Sequence, residues 1–410
     1  MNDIDHERYS AVEHPVEIDT AALIAQGWQP TPIQTFVLKI HSRCNLRCDY
    51  CYVYRAADQG WRDQPRIMSR TTLDYTAMRI AEHVTAHDLD AIELVLHGGE
   101  PLLAGPELIA AAVTKVRAAV AGHARVTASM QTNGSRLTAD LLPLLAELNV
   151  GIGISLDGTG DLHDRHRRWP DGRGSYAAVS AALEGLITSP YNRLFSGLLC
   201  TIDLRNEPLA TYEGLLQFLP PLIDFLLPHG NWSAPPPGRV PGESTHPYAD
   251  WLIATFDRWY SAPVKETGVR LFEEIINLLL GGSSKSEDVG ISPTGVMVIE
   301  TNGAIEQSDM LKIAYQGAAT TRMHVACDSI DDALLTPGIV ARQLGIRALS
   351  ASCQACPIGR ICGGGLYPHR YRRGAGFANP SVYCADLFRL ISHIRDRLAG
   401  DVFALRGKVS

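Results

Sequence analysis

No run of apolar residues in this chain approaches the roughly 18 needed to cross a membrane as a helix, so a helical membrane protein is not the class to consider. The N-terminus, "MNDIDHERYSAVEHPVEID", is acidic and polar and lacks the apolar centre of a signal peptide, which makes the cytoplasm the expected location. Basic residues are not in excess either. Thirty-seven Lys and Arg face 44 Asp and Glu, a formal net charge of -7, and this argues against any general affinity for nucleic acid or an anionic membrane surface. Internal repeats and low-complexity tracts are absent. Cysteine is short in one telling place: "HSRCNLRCDYCY" (41–52) carries Cys44, Cys48 and Cys51, where a closed zinc or iron–sulfur site takes four ligands.

What is present is ordinary for a folded protein of 410 residues, with 46% apolar and 20% charged residues, enough for a large α/β domain and a smaller one. Six short apolar runs, at 35–40, 91–97, 125–131, 150–157, 197–203 and 222–227, alternate with helical patterns at 70–87, 106–121, 138–147, 175–187 and 209–219. Strand-then-helix units repeated in this way predict a parallel sheet, open or curled into a partial barrel. Chemistry in such sheets collects at the carboxyl ends of the strands. The three-cysteine loop, "HGGEP", "QTNG" and "SLDG" follow the first four strands in turn and so converge on one face. The proline-rich stretch 233–244 reads as the end of this domain, and helices near 247–260 and 268–280 lead to a hairpin turning at Thr301-Asn302-Gly303. A second cysteine set, Cys353, Cys356, Cys362 and Cys384, lies in a segment of little regular pattern, as in a small module held by metal.

Three soft thiolates turned toward one centre suit an iron–sulfur cluster, zinc or cuprous copper. A 4Fe–4S cluster on this loop would have one iron without a protein ligand, open to a small molecule. Zinc with its fourth ligand elsewhere, or a ferredoxin-like loop, would use the same residues. The spacing Cys-x3-Cys-x2-Cys, with Tyr50 before the third cysteine, resembles the signature of the radical S-adenosylmethionine (SAM) enzymes. That resemblance implies a partial (β/α)6 TIM-like barrel, a 4Fe–4S cluster that chelates SAM, and a 5′-deoxyadenosyl radical that abstracts a substrate hydrogen. It also implies SAM contacts at Tyr50, Gly98, Gly99, Glu100, Gln131, Ser155, Asp157 and Arg167. Each has a plainer reading: Asn133-Gly134 and Asp157-Gly158 are common turn dipeptides, and Arg165 to Arg168 could be a solvated face.

The second set supplies four thiolates and closes a tetrahedral site, so a structural zinc knot fits it as well as a cluster. Its spacing is similar to SPASM domains, the C-terminal extensions of radical SAM enzymes that modify peptides. There the four would hold one auxiliary 4Fe–4S cluster, while the ligands of a second are missing: Ser308 and Leu366 stand where cysteines would, and no cysteine lies between 201 and 302. Cys200 and Cys327 are expected in the core. Asp309 occupies the position of a catalytic aspartate in sulfatase-maturing relatives, although a surface aspartate after a strand is the alternative.

Longer stretches, among them "IDFLLPHGNWSAPPPG", "VIETNGAIEQSDMLK" and "ICGGGLYPHRYRRGAGFANPSVYCADL", resemble FxsB-type radical SAM/SPASM maturases over about residues 34–392. The resemblance implies a ribosomally made precursor peptide as substrate and an intramolecular cross-link, aromatic carbon to β-carbon, as product. It implies a low-potential donor such as flavodoxin or ferredoxin. It divides the chain into an N-terminal segment (1–34), the barrel (35–240), a helical bridge (241–290), a SPASM-like module (291–392) and a tail (393–410). The first 34 residues look too short for a leader-binding domain, and no metallohydrolase-like extension is expected after the second cysteine set. Formylglycine formation, peptide epimerisation, and a non-enzymatic electron carrier or peptide scaffold stay open. Arg370, Arg372 and Arg373 could meet an acidic peptide or form a solvated basic turn. His229 and Trp232 are pocket candidates by position, with a packed tryptophan and a hydrogen-bonded histidine as the alternative.

Overall fold

The computed structural model describes residues 18–240, 243 and 245–409, with side chains from residue 402 onward left out. Residues 1–17 of the expected N-terminal segment, and the acidic N-terminus with them, lie outside the described residues. Six parallel strands form where the apolar runs predict them: β1 (Thr35–His41), β2 (Ala91–Gly98), β3 (Arg125–Thr132), β4 (Val150–Ser155), β5 (Phe195–Thr201) and β6 (Leu222–Leu226). Four short strands complete one sheet: β7 (Gly268–Val269), β8 (Val296–Ile299), β9 (Ala304–Glu306) and β10 (Thr320–His324). The order is β10-β9-β8-β1-β2-β3-β4-β5-β6-β7.

Alternation along the strands sorts their side chains. Phe36, Leu38, Ile40, Leu94, Leu96, Ile152 and Ile154 are buried beneath the covering helices. The intervening residues, among them Val37, Val95, Gln131, Gly153 and Ser155, line one internal cavity, so the sheet curls around it. The helices begin where local chemistry allows: Ser69 accepts from Thr72 N–H to open Arg70–Ala86, and a proline stands first in Pro106–Ala119, Pro208–Leu216 and Pro247–Tyr260. The 138–147 pattern is helical only over Leu142–Glu147.

The hairpin predicted around Thr301-Asn302-Gly303 forms, but β8 pairs with β1 in parallel, Thr35 opposite Val296 and Leu38 opposite Ile299. It therefore extends the barrel sheet. One helix, Cys384–Val409, runs through the boundary expected at residue 392. Cys200 is buried in the core as expected, whereas Cys327 is exposed: it sits in a turn after β10, its N–H bonded to His324 O, with no apolar layer above it. Among the described residues no helix is long and apolar enough to cross a membrane.

Candidate functional site

The cysteine loop is pinned by the end of β2. Gly99 N donates to His41 O at 2.8 Å and Glu100 N to Arg43 O at 3.0 Å. A side chain at Gly98 would sit 2.1 Å from His41 O, and one at Gly99 would sit 2.4 Å from the Arg43 carbonyl carbon, so only glycines allow this approach. Arg43 fixes the other flank, donating to Ser42 Oγ at 2.7 Å and Trp61 O at 2.8 Å. Asn133, part of "QTNG", donates to Asn45 Oδ1 at 3.0 Å and lies 3.6 Å from Cys44 Sγ. The turn reading of Asn133-Gly134 is thus incomplete, because its amide also holds the first cysteine.

Cys44, Cys48 and Cys51 all face the cavity of about 1340 Å³ that fills the curl of the sheet. Burial pushes the Cys44 thiol up to about 12 and the Cys48 thiol up to about 11, with Arg167 opposing the shift at Cys48. Thiols raised in this way on balance suit ligation to a cationic centre, which would favour their thiolate form. Tyr50, Gly98, Gly99, Gln131, Ser155 and Arg167 line the same cavity. Gln131 Nε2 donates to Ser155 Oγ at 3.0 Å across Gly153, whose missing side chain leaves the room.

Glu100 and Asp157 do not reach the cavity wall. Glu100 is fully buried and accepts from Leu102 N (3.0 Å), Thr132 Oγ1 (2.6 Å) and Asn133 N (2.8 Å). Burial raises its pKa and those donors oppose the rise. It ties the end of β2 to the end of β3. Asp157 accepts from the Tyr50 hydroxyl, from Arg167 Nε at 2.9 Å and from Thr201 N at 3.0 Å, so it aims the two side chains that do reach the cavity. His163 stands behind it, receiving Asp157 N–H at Nδ1 (3.3 Å), and burial lowers its pKa to about 4. Arg165 and Arg167 are no solvated face, being paired with Asp203 and Asp157.

Asp309 is not a surface residue. Its Oδ1 lies 2.9 Å from Lys39 Nζ and 3.2 Å from Lys312 Nζ, and Lys312 also reaches Glu300 (2.5 Å) and Glu306 (2.9 Å). Burial alone would raise the Asp309 pKa; the two ammonium groups and His97 together drive it well below the usual carboxylate range. It sits behind the cavity wall formed locally by Tyr52, His97 and Met310. Lys39 was the readable signal for this cluster, a charge on the inward side of an apolar strand.

The second module meets the cavity through Leu366, His369 and Leu387. His229 lines it too, with its Nδ1 unpartnered, so it is not the hydrogen-bonded histidine of the plainer reading. Trp232 is packed, donating to Pro380 O at 2.7 Å beneath Arg372. Arg372 and Arg373 are exposed and Arg370 is buried. Cys362 feels Cys384 and Cys353 electrostatically, and Cys384 feels Cys353 and Cys356. Yet among the described residues no three cysteine sulfurs lie within 4.8 Å of one another. A tetrahedral zinc, with Zn–S near 2.3 Å, would draw its four sulfurs to about 3.8 Å. Closing on a tetrahedral zinc would therefore require these sulfurs to draw together from where they stand.

With this geometry in view, comparison with known proteins is decisive. The Radical SAM superfamily profile matches residues 38–198. A serine-type anaerobic sulfatase-maturating enzyme of Klebsiella pneumoniae is 32% identical over 400 residues, covering 91% of this chain and 90% of the relative. The chain belongs to the radical SAM maturases. Native anSMEcpe with bound AdoMet and Cp18Cys peptide matches with a TM-score of 0.75 at 18% identity, covering 90% of this chain and 99% of the other. Streptococcus suis SuiB bound to the precursor peptide SuiA matches with a TM-score of 0.54 at 13% identity, covering 88% and 77%. This radical SAM maturase is accordingly a peptide-modifying enzyme whose cofactors are SAM and 4Fe–4S clusters.

Proposed function

We propose that this maturase acts on a ribosomally made precursor peptide and joins an aromatic ring to the β-carbon of a nearby residue in the same peptide. The observation that carries the reading is one cavity lined both by Cys44, Cys48 and Cys51 and by Leu366, His369 and Leu387 of the second cysteine module. A peptide segment there would face a hydrogen-abstracting end and an electron-accepting end together. Cys44, Cys48 and Cys51 hold the SAM cluster, and Cys353, Cys356, Cys362 and Cys384 hold one auxiliary cluster. Tyr50, Gly98, Gly99, Gln131, Ser155 and Arg167 contact SAM, with Glu100 and Asp157 positioning them from behind. When bound, SAM and its cluster supply a 5′-deoxyadenosyl radical that takes one hydrogen atom from the peptide.

The peptide loses two hydrogens in all. The first leaves as a hydrogen atom on deoxyadenosine, and the second leaves as a proton with an electron when the ring regains aromaticity. Lys39 and Lys312 keep Asp309 ionised across neutral pH, and because it stands behind Tyr52, His97 and Met310 the proton would have to reach it past that wall. The two lysines also make it a weak base, which is adequate because the proton released on rearomatisation is strongly acidic. A flavodoxin- or ferredoxin-like donor supplies low-potential electrons.

The long match to a serine-type sulfatase-maturating relative favours a second reading, oxidation of a serine or cysteine side chain to formylglycine. Co-expression with a candidate precursor peptide, sought as a short open reading frame beside the gene, separates the two. Serine oxidation and cross-linking both remove two hydrogens, so mass alone does not decide. A product without hydrazide-reactive carbonyl, whose tandem fragmentation skips the bonds between two residues, is expected; an aldehyde-positive product would refute the cross-link. Asp309→Asn is expected to lower peptide turnover roughly 100- to 10,000-fold while deoxyadenosine still forms.

A further inference from the structure

Arg370 belongs to the basic stretch "PHRYRR" between Cys362 and Cys384, and it is only 9% exposed. Among the described residues no carboxylate lies within ion-pair distance of it. Its neighbours are already matched: Arg239 stands 3.5 Å from Asp386, and Arg342 stands 2.5 Å from Glu287. The Arg370 guanidinium instead donates to three consecutive carbonyls, Gly363 O at 2.6 Å, Gly364 O at 3.1 Å and Gly365 O at 2.6 Å. Those glycines have φ of 60°, 76° and 67°, a left-handed run that other residues take only at a cost and that turns the carbonyls onto the cation. Glu287 acts on it only from beyond ion-pair distance and is already held by Arg342, and burying a cation with dipoles but no adjacent counter-charge is strongly unfavourable. A counter-charge belonging to something other than the protein is therefore called for.

The position says what that is. Gly363 directly follows Cys362, so the Arg370 guanidinium, donating to Gly363 O at 2.6 Å, is fixed to the backbone one residue beyond that thiol. We propose that Arg370 is the built-in counter-ion of the auxiliary cluster and holds its reduction potential high enough to accept the electron released by the peptide. This rests on assigning that cluster to Cys353, Cys356, Cys362 and Cys384. A cluster ligated by four thiolates is anionic and gains one more negative charge on reduction, so a fixed cation beside it favours the reduced form. The peptide-binding role open to Arg370 from sequence is withdrawn, since its guanidinium is committed to the glycine carbonyls.

The test is a redox titration of the reconstituted holoenzyme, followed by EPR, on wild type, Arg370→Met and Arg370→Lys. Wild type should hold roughly eight irons. Arg370→Met should disfavour reduction of the auxiliary cluster at least tenfold, ~59 mV for one electron; Arg370→Lys should restore most of it, and the SAM-site cluster should not move. Eight irons with an unmoved auxiliary potential in Arg370→Met would overturn the proposal. Should Arg370→Met lose the second cluster, retention of that cluster by Arg370→Lys near the wild-type potential supports the counter-ion; loss by both makes the role one of packing and overturns it. A wild-type protein with four irons overturns the cluster assignment itself, a distinct failure.

Discussion

Cys44, Cys48 and Cys51 stand on backbone hydrogen-bonded to the strand ends of the sheet, whereas Cys353, Cys356, Cys362 and Cys384 stand on short helical pieces held mainly by packing of Ile358, Ile361 and Leu387 against the core. The first loop takes hydrogen bonds from the end of β2, side-chain bonds from Asn133 and four carbonyl or hydroxyl contacts from Arg43. The second set rides on the four-residue helices Ala351–Gln354 and Gly359–Cys362, far too short to persist alone, and on the start of one long helix. The difference follows from the tasks. A cluster with an open iron has to present a small molecule in one orientation, which demands a rigid platform. A closed cluster only has to be retained and charged.

The largest effect should come from breaking the open site. Cys44→Ala is expected to abolish deoxyadenosine formation and leave roughly four irons, while Cys356→Ala should keep deoxyadenosine formation and lose cross-linked peptide. Equal loss of both products in the two variants would erase the distinction drawn above. Removing iron with a chelator should accelerate amide exchange across 351–384 at least about tenfold and leave 41–54 little changed; uniform acceleration would show that the first loop needs its cluster as much as the second.

The platform can also be attacked without touching a cysteine. Glu100→Ala strands three buried donors and should lower unfolding stability by ~3 kcal/mol or more in urea titration. His163 gives a smaller, pH-dependent effect. Its folded pKa, about 4, lies below the ordinary 6.5, so its contribution is present above pH 6.5 and is lost as the pH falls toward 4. The loss should total about 3 kcal/mol, and His163→Asn should lack that slope.

Much of the open site was legible because each motif follows a strand, and a parallel sheet brings strand ends together whatever lies between. The closed site was legible as a spacing only. What sequence could not tell was which way a carboxylate faces. Glu100 and Asp157 read as SAM contacts, yet both turn toward backbone N–H groups and neighbouring side chains behind the wall. Asp309 read as catalytic or as surface; its two lysine partners come from β1 and from three residues on, a meeting that only the β1–β8 pairing creates. Arg370 was opaque for a related reason, since its partners are main-chain carbonyls and carry no signature in side-chain chemistry. Cys327 misled because an isolated cysteine usually packs inside.

The pairing of β8 against β1 carries a consequence for biosynthesis. β1 is the first barrel strand to leave the ribosome, and β2 soon covers one of its edges, but the other edge stays bare until Val296–Ile299 have been made. Through most of translation the nascent barrel therefore displays an unsatisfied, apolar strand edge, the kind of surface that invites pairing with another chain. The strand that bears the three-cysteine loop, the proposed source of the radical, is sealed only when the hairpin leading into the second cysteine module arrives, so a truncated chain would be an aggregation hazard before it could be an unguarded source of radicals.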